Sequence, residues 1–475
     1  MKLKLPFLGL LTFLFFIHTS SAQSVRLKKT VLQAFWWDYR HDNFPGSWAD
    51  YLTKLAPRLK SMGIDAIWIP PSYKNQSPTW VGYGPMDHYD LGDKYQKGSP
   101  NVNTALGTKD ELLRMIAVMH ANGIEVIQDI VLNHVDGAGS QQGIGGIDNH
   151  SLSLQSNSGY KNFRYVSYQT PAIDESQDDY FTRSGRWPKN YTNFYPNAQN
   201  ACCNNEINSP YFGPDISYES NGIGQSSVVP TSGFPASLGP GRPYINPTQP
   251  SDYMRTEARN WILWFKKQSG VDGFRWDAVK HFPIYVQEDL IYNLKYSLPA
   301  WAKGGQTMLN IGEWIGSKGD IDGYVNAVAT GCAPTGDTNN GCPAGQGREE
   351  HTGTFDFSLR GYGSFGGLYS MIRGGGGFDV SVLPGEQQNK RYFDYGSFDT
   401  RVHRSFSFVN SHDTYRPILT ANGDFTVTLS NSYSSGWNFG NELGGNGGHL
   451  DPREPRMAAA YAVTMAVDGN PVIFF

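Results

Sequence analysis

Short, nearly continuous apolar runs alternate along the chain with stretches in which apolar positions recur every three or four residues. VLQAFWW (31–37) is the first run; residues 51–62 follow at helical spacing, Gly63 stops that helix, and IDAIWIP starts at Ile64. The alternation recurs with a helix over 111–121, a stop at Asn122-Gly123, and IEVIQDIVLNH from Ile124. Runs with no polar face belong to a parallel sheet covered by helices on both sides. After His134 the periodicity disappears, and Gly, Ser, Asn, Tyr and Pro dominate up to about residue 250. A compact domain rarely holds so long a structureless loop, so 135–250 is expected to be an irregular, β-rich subdomain inserted after the third strand. Order returns with a helix over 252–268, a stop at Gly270, and the strands VDGFRWD, TMLNIGEW, GTFDFSL and RSFSFVNSHD. A helix over 453–467 precedes the last strand, PVIFF. Eight strands alternating with helices predict an α/β fold of the (β/α)8 TIM-barrel type rather than an open doubly wound sheet. The barrel would be built from 23–134 and 251–475.

The first 22 residues stand apart. Lys2 and Lys4 precede an apolar run from Leu5 to Ile17, and Ser20 and Ala22 put small side chains where a signal peptidase cuts. The run is shorter than the roughly 20 residues of a spanning helix, so 1–22 reads as a signal peptide and the protein as exported: secreted, periplasmic or on the cell surface. The 39 basic and 43 acidic residues form no basic stripe, which argues against a nucleic-acid partner, and no later segment resembles a transmembrane helix. A monomer is expected. Export permits disulfides, and the four cysteines, Cys202, Cys203, Cys332 and Cys342, allow three pairings. The small loop between Cys332 and Cys342 favours a bridge there.

Polar residues cluster at the carboxyl ends of the strands: Asp129, Asn133 and His134 on the third, Arg275 and Asp277 on the fourth, Glu313 on the fifth, His412 and Asp413 on the seventh. In a parallel barrel those ends meet on one rim, where active sites are built. Three carboxylates among Arg and His suit cleavage of a glycosidic bond, in which one carboxyl protonates the leaving oxygen and another, ionised, attacks the sugar. The reading is Asp277 as nucleophile, Glu313 as acid/base and Asp413 as a holder of the distorted sugar. Arg275, two residues before Asp277, projects to the same side and can keep it ionised.

DIVLNH (129–134), GFRWDAVKH (273–281), IGEW (311–314) and FVNSHD (408–413) resemble, in order, the four signature regions of the α-amylase superfamily, glycoside hydrolase family 13. GYGPMDHYDLGDKYQKG (82–98) is similar to the second-strand loop of its bacterial liquefying α-amylases. The likeness spans roughly residues 31–475. It implies the same roles for Asp277, Glu313 and Asp413, sugar contacts from His134, Arg275 and His412, a stacking platform at Tyr83, and a glucan contact beyond the cut from Lys280. It further implies Ca2+ held by Asn133, Asp215 and the His281 carbonyl where barrel and insertion meet, since hard oxygen ligands suit that ion. The implied activity is endo-hydrolysis of α-1,4 bonds in a starch-like α-glucan, with retention of configuration.

Two positions depart from the pattern. Ser217 stands where the liquefying enzymes usually have a second aspartate, which puts their extra metal sites in doubt. Ser411 replaces an asparagine before His412, so the backbone there is expected to be tied differently. GYGSFG (361–366) has dinucleotide-fingerprint spacing but follows the sixth strand instead of opening a βαβ unit, and reads as loop glycines. The alternatives are another α-glucan-active superfamily member (an α-glucosidase, a transglycosylase or a maltooligosaccharide-forming enzyme) and a non-hydrolytic glucan-binding protein. Because the eighth strand ends at Phe475, the final barrel helix and the β-sandwich domain of the family are expected to be missing, and the chain as given is expected to be poorly soluble.

Overall fold

Each buried run becomes a strand, and the helices between them return the chain to the same end of the sheet. A computed structural model describes residues 28–37, 39, 46–75, 81–94, 102–135, 187, 216, 218, 253–281, 283–296, 309–329, 352–361, 366–373, 379–389, 403–414 and 456–475. The strands are β1 (Val31–Gln33), β2 (Ala66–Ile69), a short pair β3 (Lys74–Asn75) and β4 (Pro85–Asp87), β5 (Glu125–Ile130), β6 (Gly273–Trp276), β7 (Leu309–Gly312), β8 (Gly353–Thr354), β9 (Phe406–Phe408) and β10 (Asn470–Phe474). Eight of them pair in the order β8-β7-β6-β5-β2-β1-β10-β9, every pair parallel. A parallel bridge between Phe355 and Phe406 joins the two ends of that order. The sheet is therefore a (β/α)8 barrel.

Helix α1 (Trp48–Ser61) begins where the Ser47 hydroxyl accepts the Asp50 N–H, and α2 (Lys109–Ala121) where Thr108 and Glu111 form a reciprocal capping box. The predicted stops Gly63 and Gly270 take φ of 84° and 72°, a conformation a Cβ would penalise. Helix α3 (Tyr253–Ser269) leads into β6, and α4 (Ile284–Tyr296), α5 (Lys318–Ala329) and α7 (Met457–Ala466) complete the longer helices among the described residues. Asp289 of α4, fully buried, is matched by Arg259 of α3 at 2.5 Å, a pairing that fixes the two helices against each other.

Trp48, Trp68, Trp261 and Trp276 are all essentially buried. Each indole N–H finds an acceptor: Trp48 the Ala34 carbonyl, Trp68 the Asp129 carboxylate, Trp261 the His88 carbonyl and Trp276 the Asn310 amide oxygen. Truncating any of them to Ala would cost about 3–5 kcal/mol.

Local chemistry changed two expectations. GTFDFSL is strand only at Gly353–Thr354, because the Asp356 carboxylate accepts the Leu359 N–H and starts a short helix, α6 (Phe357–Arg360). The β3/β4 hairpin was not foreseen. Its strands flank the segment that carries Tyr83, and a fully buried Lys74–Asp90 pair at 3.4 Å holds its base. Burial lowers the Lys74 pKa, yet Asp90 and the Val102 carbonyl, 2.6 Å away, compensate its ammonium.

Of the inserted subdomain, Trp187, Ile216 and Tyr218 are described beyond Val135, and all three are buried. Trp187 packs 5.1 Å from His88, the Ile216 N–H donates to the Asn133 carbonyl at 2.7 Å, and the Tyr218 hydroxyl donates to the Leu132 carbonyl at 2.9 Å. These residues meet the barrel at the end of β5. The signal peptide, the four cysteines, Asp215 and Ser217 lie outside the described residues.

Candidate active site

Register builds the centre of the site. Asp129 on β5 and Arg275 on β6 are paired positions in neighbouring parallel strands, so their side chains lie side by side inside the barrel. Arg275 Nη1 donates to both Asp129 oxygens, at 2.9 and 3.1 Å, and to Asp277 Oδ1 at 2.5 Å; Nη2 contacts Glu313 Oε2 at 2.9 Å. One guanidinium thus joins three carboxylates. Its carbon also sits 5.2 Å from the Trp68 ring and 5.7 Å from the Tyr83 ring. Arg275 and Asp129 are buried, while Asp277 and Glu313 keep side-chain exposures of 12% and 13%, enough to meet a ligand from the top of the barrel.

Asp129 is satisfied on every side, since Tyr83 donates its hydroxyl at 2.7 Å and Trp68 its indole N–H at 3.0 Å. Burial nevertheless pushes its pKa up to about 6, against the pull of Arg275 and Tyr83. Burial also raises Asp277 well above the usual carboxylate range; the charges of Glu313 and Asp129 add to this and Arg275 opposes it. Asp129 and Asp277, buried side by side on one guanidinium, therefore take up a proton more readily than separated carboxylates would.

The turn after β6 orients two of these groups. Ala278 has φ +49°, and its N–H donates to Glu313 Oε2 at 3.0 Å. The Val279 N–H reaches the Glu313 carbonyl, and Gln287 of α4 donates to the Val279 carbonyl at 2.8 Å. Gln287 in turn accepts the Tyr324 hydroxyl from α5. Lys280, at the end of that turn, is exposed and close enough to Asp320 to lower its pKa, after the larger effect of the Ser317 hydrogen bonds.

Across the barrel, Asp413 follows β9 with its carboxylate 3.2 Å from His412 Nε2. The Tyr83 and His412 rings are parallel, 5.0 Å apart, and Trp37 is parallel to both within 6.0 Å. Three stacked rings beside the Asp413 carboxylate combine apolar faces with a hydrogen-bond acceptor, a pairing suited to a polyhydroxylated ring. His134 Nε2–H donates to the Tyr83 carbonyl at 2.8 Å, and burial lowers its pKa to about 4, so the imidazole is neutral near pH 7. Ser411 ties its turn as a hydroxyl clip: its Oγ accepts the Asp413 N–H at 3.3 Å and its own N–H donates to Thr414 Oγ1 at 2.7 Å.

The sequence-predicted residues Asp277, Glu313, Asp413, Tyr83, His134, Arg275 and His412 therefore converge, with Lys280 at the rim. Sequence reasoning gave no role to Asp129, Gln33, Trp37 or Trp68. A polar residue inside a buried strand was the available signal for Gln33 and Asp129, since such groups must find partners. For calcium, Asn133 is buried, His281 lies close enough to His134 to affect its pKa, and the inserted segment returns to the Asn133 carbonyl at Ile216, the residue after Asp215. An amide and a backbone carbonyl are hard donors that fit this ion. Among the described residues no three His, Cys, Asp or Glu side chains group as metal ligands.

The family described as "Alpha amylase, catalytic domain" matches residues 38–202. Similar proteins include the glucan 1,4-alpha-maltohexaosidase of Bacillus sp. (strain 707), 29% identical over 302 residues, which cover 62% of this chain and 52% of that protein. The alpha-amylase of Bacillus licheniformis is 25% identical over 338 residues, covering 67% of this chain and 57% of that one. The chain spans about half the length of the curated relatives it matches. Among solved structures, an alpha-amylase from Geobacillus thermoleovorans complexed with acarbose aligns over 95% of this chain and 71% of its own, with TM-score 0.50 and 14% identity, a likeness of fold.

Proposed function

We propose that the chain is a member of the α-amylase superfamily, glycoside hydrolase family 13, and that it hydrolyses internal α-1,4 bonds of starch-like glucans with retention; the match to the α-amylase catalytic-domain family and the similarity to bacterial α-amylases support this reading. The observation that carries this reading is the single Arg275 guanidinium shared by Asp277 and Glu313, with Asp413 held on His412, whose ring stacks on Tyr83. Carboxyl groups gathered on one guanidinium suit the retaining separation of about 5–5.5 Å better than the wider inverting gap of about 6.5–9.5 Å.

In this mechanism Glu313 donates its proton to the glycosidic oxygen as Asp277 Oδ attacks the anomeric carbon. The C–O bond to the leaving chain breaks and a covalent glycosyl ester forms. Water, deprotonated by the Glu313 carboxylate, then displaces Asp277. Asp413 and His412 hold hydroxyls of the distorted sugar, Tyr83 and Trp37 cover its apolar face, and Arg275 stabilises Asp277 as an anion. Lys280 reaches the glucan beyond the cut.

Calcium is proposed at Asn133, Asp215 and the His281 carbonyl, where it would hold the inserted subdomain to the barrel. The protein is further proposed to be exported after cleavage behind Ala22 and to act as a monomer; among the described residues no helix is long and apolar enough to cross a membrane.

Soluble starch is the test substrate. An endo-hydrolase lowers viscosity early and gives a spread of long oligomers before small ones, and Asp277→Asn abolishes reducing-end release. Activity persisting in that variant would remove Asp277 from its role, and binding without thinning would favour a glucan-binding protein. The name of the Bacillus sp. (strain 707) relative supports a second reading, a maltooligosaccharide-forming enzyme, for which one oligomer would dominate the ladder from the start.

A further inference from the structure

Gln33 is the one polar residue of β1, VLQ, and it is fully buried. Its Nε2 lies 2.9 Å from His412 Nδ1, while His412 Nε2 lies 3.2 Å from Asp413 Oδ2. Phe35, Trp37, Trp68 and Tyr83 pack around the imidazole at 5.0–6.0 Å. The ring is boxed in, and the groups at its two nitrogens decide which carries the proton.

We propose that Gln33 is a positioning residue that fixes His412 as the neutral tautomer protonated on Nε2, so that His412 presents its proton to Asp413. An amide N–H can only donate, so Nδ1 facing it must be an unprotonated acceptor. The remaining ring proton then lies on Nε2, and a carboxylate is the acceptor it needs. The opposite amide orientation would put Oε1 on Nδ1 and send the amide N–H groups to the place Oε1 now occupies. Among the described residues Oε1 has no hydrogen-bond partner there, and two stranded donors cost more than one under-used acceptor. A doubly protonated ring fares no better, because Nδ1–H would point at the amide hydrogens. The relay runs from β1 through His412 to Asp413 and holds one Asp413 oxygen in place.

This role rests on the proposed glucan hydrolysis only for its consequence on rate; the tautomer is independent of it. The test is 15N NMR of histidine-labelled protein, with His412 assigned through a His412→Asn variant. Wild type is expected to show His412 neutral with Nε2–H. Gln33→Leu removes the donor and Gln33→Glu replaces it with an acceptor of the same shape, which moves a proton to Nδ1. Both variants are expected to lose roughly tenfold to a hundredfold in kcat on soluble starch with much smaller changes in KM, since a misplaced group is felt mainly in the transition state. A wild-type His412 protonated on Nδ1 overturns the proposal, as does a Gln33→Glu protein retaining the Nε2–H tautomer and full kcat. Should Gln33→Leu fail to fold, Gln33→Glu and the wild-type spectrum decide. An Nε2–H tautomer in a wild-type protein inactive on starch overturns the hydrolase reading and upholds the tautomer.

Discussion

Ala278 donates its N–H to the Glu313 carboxylate from a left-handed backbone conformation, at 3.0 Å and φ +49°. A side chain in that conformation costs of order 1–2 kcal/mol, which the surrounding hydrogen bonds must offset. Ala278→Gly keeps the N–H without the steric cost, so its stability is expected within about 1 kcal/mol of wild type, with activity retained. Ala278→Val forces a β-branched residue into the same turn and is expected to lower both stability and kcat. Chemical denaturation and starch kinetics of the pair decide, and a valine variant indistinguishable from wild type would mean the turn has no orienting role.

Asp129 is expected to set part of the acid limb of activity. Its negative charge helps raise the Asp277 pKa, so Asp129→Asn should let Asp277 ionise at lower pH and move the acid limb of kcat/KM downward. The same change loosens Arg275 and Tyr83, so the maximum rate should fall. A pH profile whose acid limb moves up, or stays put, contradicts the assignment.

His120 on α2 and Asp272 before β6 form a pair at 2.8 Å on the opposite end of the barrel from the site. The Asp272 hydrogen bond raises the His120 pKa above 6.5. A raised folded-state value means the stabilisation is fully present below about pH 6.5 and is lost as pH rises through the folded value. The pair is partly exposed, at 39% and 30%, so solvent screening keeps the effect small. Thermal melts of His120→Gln against wild type should differ at about pH 5.5 and converge by about pH 9; a gap that widens with pH would reverse the sign.

Calcium binding only to the folded protein would stabilise it by mass action. Chelator should therefore lower the melting temperature of the full chain, added calcium should restore it, and Asp215→Ala should blunt both responses. Unchanged melting in excess chelator, with no metal in elemental analysis, would exclude the ion.

The sequence by itself determined the barrel, because eight buried runs alternating with helical stretches leave few other ways to cover a parallel sheet. It also put Asp277, Glu313 and Asp413 on the same rim, since carboxyl ends of parallel strands must converge. Local signals such as Ser47, the Thr108–Glu111 box and Gly63 were legible for the same reason: a cap or stop acts within one turn of chain. What the sequence could not reveal depended on register and packing between distant segments. Nothing local couples Asp129 to Arg275, 146 positions later, or Gln33 to His412, 379 positions later. Those pairs exist because β5 and β6 align residue against residue and because β1 and β9 flank β10 on the same arc of the barrel. GTFDFSL likewise has a strand's apolar content, yet the Asp356 carboxylate, which also accepts the Gln388 N–H from 32 positions away, caps the helix that begins at Phe357. Tertiary structure decided which polar groups meet, and a buried polar group's chemistry is set by its partner.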